Sequence, residues 1–277
     1  MKFALRACVL IALASTLAAC GGRNQTELAY VEQPVEQLYN EGFSHLERRR
    51  YQEAAQFFDE VERQHPFSEW ARRSMLMAAY ANYRGNNYEE AISDAERFVA
   101  LHPGSSSAPY AYYLIAVSHY ERIYDVGRDQ STTRQAMDAL QQVVRRYPGT
   151  PYAQDARLKI DMTRDHLAGK EMSVGRWYLR NGYHLAAINR FQTVIQDYQT
   201  TSHVPEALHR LVESYVSLGV DEEARQVAAV LGHNFPGSAW YSDSYDLLTS
   251  RGIDVPGDAV EEEDPGLLRR AMDRIFG

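Results

Sequence analysis

Residues 50–66 read RYQEAAQFFDEVERQHP and residues 87–103 read NYEEAISDAERFVALHP. Laid over one another, they match alanine to alanine and, twelve positions on, proline to proline: Ala54 with Pro66, Ala91 with Pro103. The pair returns as Ala136 and Pro148 in TRQAMDALQQVVRRYP, and as Ala224 and Pro236 in DEEARQVAAVLGHNFP. A further window, YHLAAINRFQTVIQDYQ, has Ala187 but carries Gln199 where the proline would stand. Successive anchors are 37, 45, 51 and 37 residues apart. Apolar residues inside the windows fall at helical spacing, as in Phe57, Phe58 and Val61, or Ile188, Phe191, Val194 and Ile195, with no sustained alternation of the strand kind. Chance could place one such pair in an ordinary helical bundle; five with equal internal spacing argue for a repeat.

Upstream of each anchor lies a second helical stretch, at roughly 35–48, 68–84, 107–124, 151–180 and 204–218. Gly182, Gly219 and Asn86 each stand five residues before an anchor, where a residue tolerant of the left-handed conformation would close the first helix. The proline ends the second helix and opens the next connection. The third copy has room for a polar loop over Asp125–Thr133, and the fourth for a long first helix that Gly169 could break. The unit is helix–turn–helix, and with Gly42 and Gly175 eight positions in, alanine at position 20 and proline at position 32, it resembles the tetratricopeptide repeat. Such a helix pair cannot bury its apolar face alone, so the expected fold is all-α: a right-handed superhelix of about five pairs over 35–250.

Outward from the repeats, the N-terminus has Lys2 and Arg6 followed by an uncharged apolar stretch, Ala7 to Ala19, ending Leu17-Ala18-Ala19-Cys20. That is the layout of a secretory signal, and it is too short to span a bilayer permanently. Leu-Ala-Ala-Cys resembles the lipobox of bacterial lipoproteins, which implies removal of residues 1–19 and lipidation of Cys20. The alternative is a plain secreted protein left with one unpaired thiol. Loss of Lys2 and Arg6 takes the formal charge from −8 to −10. Gly21 and Gly22 lack the aspartate of an inner-membrane retention signal, so the resemblance implies an outer-membrane anchor facing the periplasm. Residues 20–34 read as a lipidated, flexible tether. At the other end, residues 251–277 hold an acidic linker and then GLLRRAMDRIFG, an amphipathic segment that could touch a membrane or a partner, or cap the solenoid. Docking on protein is the favoured reading.

Composition excludes several classes. The two cysteines, Cys8 and Cys20, rule out a disulfide scaffold and a Cys-rich zinc site. An acidic chain with scattered basic residues is not built for nucleic acid. The histidines are dispersed; His203 and His209, six apart, fall on different helix faces and read as surface or cap residues. No HExxH, GxSxG, Walker loop or GxGxxG occurs. No enzyme, metal or cofactor is expected. The repeat geometry instead places Arg73, Leu76, Tyr80, Tyr83 and Arg84 of the second copy on the inner surface, with Tyr39 and Phe43 from the first. Rigid aromatics with polar tips suit peptide recognition, and arginine can hold a carboxylate with two hydrogen bonds.

The stretches at 145–198 (RRYPGTPYAQDARLKIDMTRDHLAGKEMSVGRWYLRNGYHLAAINRFQTVIQDY) and 62–103 (ERQHPFSEWARRSMLMAAYANYRGNNYEEAISDAERFVALHP) resemble the BamD family, also described as competence-type lipoproteins. These are tetratricopeptide lipoproteins of the outer-membrane β-barrel assembly machine. The resemblance covers about 34–235, and the long link into the fourth copy, ending at Tyr178–Tyr183, is its most specific part. It implies a non-enzymatic subunit of the assembly complex. The C-terminal repeats, with Arg180 and Arg190, would dock on periplasmic domains of the barrel-inserting channel, beside other lipoproteins of the complex. The N-terminal repeats would receive unfolded outer-membrane proteins. Gln199 and the tail beyond about 250 depart from the family pattern. A different periplasmic repeat lipoprotein that recruits cell-wall enzymes would share the anchor and the fold.

Overall fold

The computed structural model describes residues 32–254, which form eleven α-helices. They are α1 (Val35–Glu47), α2 (Tyr51–Gln64), α3 (Glu69–Arg84), α4 (Tyr88–Leu101), α5 (Ala108–Glu121), α6 (Ser131–Arg146), α7 (Pro151–Arg180), α8 (His184–Asp197), α9 (Val204–Leu218), α10 (Asp221–Asn234) and α11 (Ala239–Ser250). The signal sequence, Cys20, most of the tether and the tail from residue 255 lie outside the described residues. From α1 to α10 each helix packs chiefly on its neighbours in sequence, and the first helices of successive pairs (α1, α3, α5, α7, α9) also touch in order, while α11 packs more on α9 than on α10. Among the described residues there is no strand.

The anchor alanines are the tightest points of this stack. Ala54, Ala91, Ala136, Ala187 and Ala224 are all 0% exposed, and one turn later Phe58, Ala95, Leu140, Phe191 and Ala228 are also fully enclosed. Where that second residue is phenylalanine, the facing helix supplies glycine. A Cβ on Gly42 would stand 2.9 Å from Phe58 Cε1, and one on Gly175 would stand 2.5 Å from Phe191 Cε1. Interiors are close-packed, so a ring on one helix requires a hole on the next.

Four of the five pairs turn in the same way. Arg49, Asn86, Gly182 and Gly219 have φ of 60°, 61°, 76° and 72°, and each stands five residues before its anchor alanine. The following amide reaches back to the carbonyl five residues earlier: Arg50 to His45 at 2.9 Å, Asn87 to Asn82 at 2.9 Å, Tyr183 to Tyr178 at 2.9 Å and Val220 to Tyr215 at 3.0 Å. This is the six-to-one bond of a Schellman closure. Arg49 is the member that residue type conceals.

Beyond each second helix the chain bends at His65, His102, Tyr147, Tyr198 and Phe235, with φ from −127° to −137°. An amide three residues on closes the bend, at 3.0–3.1 Å in all five copies. The turn at Gln199 closes as it does in the proline-bearing copies. Thr201 donates both its amide (3.0 Å) and its hydroxyl (2.8 Å) to the Tyr198 carbonyl. Ser68, Thr150 and Ser238 then accept from Ala71, Ala153 and Trp240 to start the next helix.

Two features differ from expectation. α7 runs unbroken for 30 residues through Gly169. One glycine costs a helix only about 1 kcal/mol, and this one makes room: a Cβ there would lie 3.3 Å from His203 Nε2. The helix joins two cores, with Ala156 and Ile160 packed beside Met137 and Leu140, and Ala168 and Met172 beside Phe191 and Leu208. The other feature is α11, which closes the solenoid by burying Leu248 and Ser244 against α9 and α10.

Candidate peptide-binding groove

Arg73, Leu76, Tyr80, Tyr83 and Arg84 repeat at three- and four-residue steps and so share one face of α3. The side chains on that face form two clusters. In the first, Tyr39 packs edge-on to Phe58 (5.5 Å between centroids) and against Trp70 (4.8 Å), with the Arg73 guanidinium 5.5 Å from the Trp70 ring. In the second, Arg84 donates to the Tyr80 hydroxyl at 2.7 Å and to the Tyr51 hydroxyl at 3.2 Å, and lies 5.7 Å and 5.5 Å from the two ring centroids. Leu46, Glu47 and Arg49 complete a concavity of about 190 Å³ around it. The arginines are eleven residues apart, about 16 Å along α3 at 1.5 Å per residue. Phe43 is 44% exposed. Tyr83 turns toward Tyr88 (6.0 Å), and burial, with Glu121 nearby, raises its phenol pKa.

The face continues into α5 and α7 through residues that sequence reading passed over. Tyr152 meets both Tyr110 (5.4 Å) and Tyr113 (5.3 Å). The Tyr113 hydroxyl donates to Asp155 Oδ2 at 2.6 Å, and Lys159 pairs with the same carboxylate at 2.8 Å. Burial opposes the charge on Asp155, but these two donors together hold its pKa below the usual value. Burial pushes the Tyr110 and Tyr113 phenols far up, the latter helped by its bond to Asp155. Lys159 also lies 5.5 Å from the Tyr120 ring, and the Tyr120 hydroxyl approaches Met162 Sδ at 3.5 Å. The signal was present: Tyr110, Tyr113 and Tyr120 share a helical face, but α5 is apolar all round, which hides a face.

Arg180, in the last turn of α7, is exposed. Arg190 on α8 is exposed too and pairs with Glu171 at 3.0 Å. Beside them Trp177 and Tyr183 stack at 6.2 Å, both half-exposed, and Leu185 is 69% exposed. Three large apolar side chains thus stand open to solvent beside the two arginines. The two histidines part company. His203 adjoins Gly169, with Nε2 3.6 Å from Asp165. His209 is buried rather than a surface residue: its Nδ1 meets Ser244 Oγ at 2.8 Å, and burial lowers its pKa. Among the described residues, no group of three or more metal-ligating side chains is gathered to hold an ion, and no helix is long and apolar enough to cross a membrane.

A stack of helix pairs, with aromatic and arginine side chains clustered on one face of α3, defines the class: a tetratricopeptide-type solenoid. The family model YfiO, described as outer membrane lipoprotein, matches residues 31–231, and the chain belongs to that family. It is 55% identical over 96% of its length to the outer membrane protein assembly factor BamD of Caulobacter vibrioides, spanning 87% of that protein. To the protein of the same name in Rickettsia prowazekii it is 43% identical, over 90% of this chain and 98% of the relative. A solved structure, the TPR2AB-domain:pHSP90 complex of yeast Sti1, aligns over 87% of this chain and 96% of its own at 12% identity, with a TM-score of 0.40.

Proposed function

We propose that this chain is an outer-membrane-protein assembly factor, a non-enzymatic scaffold subunit lipidated at Cys20 and held at the outer membrane facing the periplasm. The observation that carries the reading is its 55% identity, over nearly the whole chain, to a protein named for that role. The groove geometry supports a division of labour. A guanidinium held between the Tyr51 and Tyr80 rings is pre-positioned for a carboxylate, and the rings offer apolar surface to an aromatic neighbour of that carboxylate. The N-terminal repeats would so receive the ends of unfolded outer-membrane proteins. The α7–α8 surface, with Arg180, Arg190 and the exposed Trp177 and Tyr183, would dock on the periplasmic domains of the barrel-inserting channel, next to other lipoproteins of the complex. Nothing in this reading calls for a cofactor.

The test is affinity capture with the full-length lipidated protein. Recovery of the barrel-inserting channel is the expected result. Recovery of a cell-wall hydrolase without the channel would overturn the reading in favour of a cell-wall adaptor.

A further inference from the structure

Three consecutive arginines, Arg48, Arg49 and Arg50, make the turn between α1 and α2. All are exposed, and among the described residues none makes an ion pair or a side-chain hydrogen bond. The middle one holds φ at 60°, where other copies place Asn86, Gly182 and Gly219. In that conformation a Cβ crowds the carbonyl that follows it, and glycine or asparagine is the usual occupant. The Schellman bond, from the Arg50 amide to the His45 carbonyl, is made by backbone atoms alone and asks nothing of the Arg49 side chain. An arginine held where the backbone disfavours it, and unused by the fold, points to a use outside the fold.

Arg49 lines the concavity of about 190 Å³ in which Arg84 lies between Tyr51 and Tyr80. Of the other charged residues lining it, Arg84 and Glu47 cancel, so Arg49 alone gives the wall a net positive charge. Arg84 also spends a hydrogen on each phenol, at 2.7 Å to Tyr80 and 3.2 Å to Tyr51. An ionised carboxylate has about four acceptor positions, and Arg84 so engaged leaves some of them open. We propose that Arg49 is the second guanidinium of this site and fixes its specificity for a polypeptide's terminal carboxylate over an uncharged end. The left-handed turn is the feature that sets an unpaired arginine on the rim, where an asparagine or glycine would fold more easily but leave the wall neutral. This inference rests on the reading of the concavity as the seat of a substrate's C-terminal carboxylate.

The test uses a short peptide ending in phenylalanine, as the free acid and as the C-terminal amide, bound to the full chain and followed by fluorescence anisotropy. The parent should prefer the acid by roughly tenfold. Arg49→Asn, which leaves the wall neutral, should cut that preference to about threefold or less by weakening the acid alone, with the amide unchanged. Arg49→Lys keeps the charge without the fork and should stay closer to the parent. Arg49→Asn should also raise the urea midpoint, because asparagine accepts the turn that arginine resists. An acid preference that survives Arg49→Asn, an equal loss for acid and amide, or a midpoint that falls overturns the assignment. Arg84→Ala, measured alongside, keeps the failures apart. If it removes the acid preference while Arg49→Asn does not, only the role of Arg49 falls; if the parent shows no preference for the acid, the reading of the concavity falls with it.

Discussion

A ring that fills a hole left by glycine cannot tolerate even one added methyl group. Gly175→Ala would bring a Cβ to 2.5 Å from Phe191 Cε1, and Phe191 is fully enclosed, so the ring has nowhere to go. We expect a loss of about 1–3 kcal/mol, the usual cost of overpacking, read by urea unfolding. Gly237→Ala, where nothing lies within 4 Å, should stay within about 0.5 kcal/mol. His209 makes a second prediction at this scale. Burial keeps it neutral in the fold, with Ser244 on Nδ1 and Glu213 3.7 Å from Nε2. Its folded pKa is depressed, while the unfolded chain takes up a proton below about 6.5. Its contribution to stability is therefore complete above that pH and lost as pH falls toward the folded value. Thermal midpoints measured from about pH 7.5 to 5.5 should fall less steeply in His209→Gln than in the parent. Nothing in the sequence marks this histidine as buried, because its partner comes from α11, thirty-five residues away.

At the scale of elements, the repeats were legible wherever chemistry is forced. Proline, glycine and the anchor alanine each answer a backbone or packing demand that few residues can meet, so helix pairs and turns followed from spacing. What stayed hidden had a substitute. Arg49 takes the left-handed turn at a cost of roughly 1–2 kcal/mol, and α11 has no anchor pair to announce it. Gln199 adopts a turn that is proline-bearing in the other copies, and Tyr198 before it already has φ −127° and ψ 40°. The conformation is thus ready for proline. Gln199→Pro should stabilise the protein by about 0.5–1 kcal/mol, by restricting the unfolded chain, as an upward shift in the urea midpoint at unchanged slope. A decrease would mean that the Gln199 amide or φ is needed as it stands.

On the scale of the whole molecule, a solenoid in which each pair touches only its neighbours keeps distant surfaces energetically separate. The Arg84 cluster rests on the cores of α1–α5, and Arg190 on the core that α7 shares with α8–α11. Mutations without shared partners are close to additive, so the two proposed roles should come apart. Arg190→Glu sets a carboxylate opposite Glu171, turning a 3.0 Å ion pair into a repulsion on the proposed docking surface. It should cut capture of the channel by roughly tenfold or more, since it replaces the cation of the proposed docking surface with a carboxylate, while binding of a carboxylate-terminated aromatic peptide stays unchanged. Arg84→Ala with Tyr80→Ala should do the reverse: the peptide is lost and the channel is still captured. Arg190→Glu should melt near the parent, because Arg190 is exposed, whereas loss of the half-buried Tyr80 ring should lower the melt of the other protein without unfolding it. If either substitution abolished both activities while leaving the melt intact, the two surfaces would be one coupled site. The long unbroken α7, which spans both cores, would then be the element carrying the coupling.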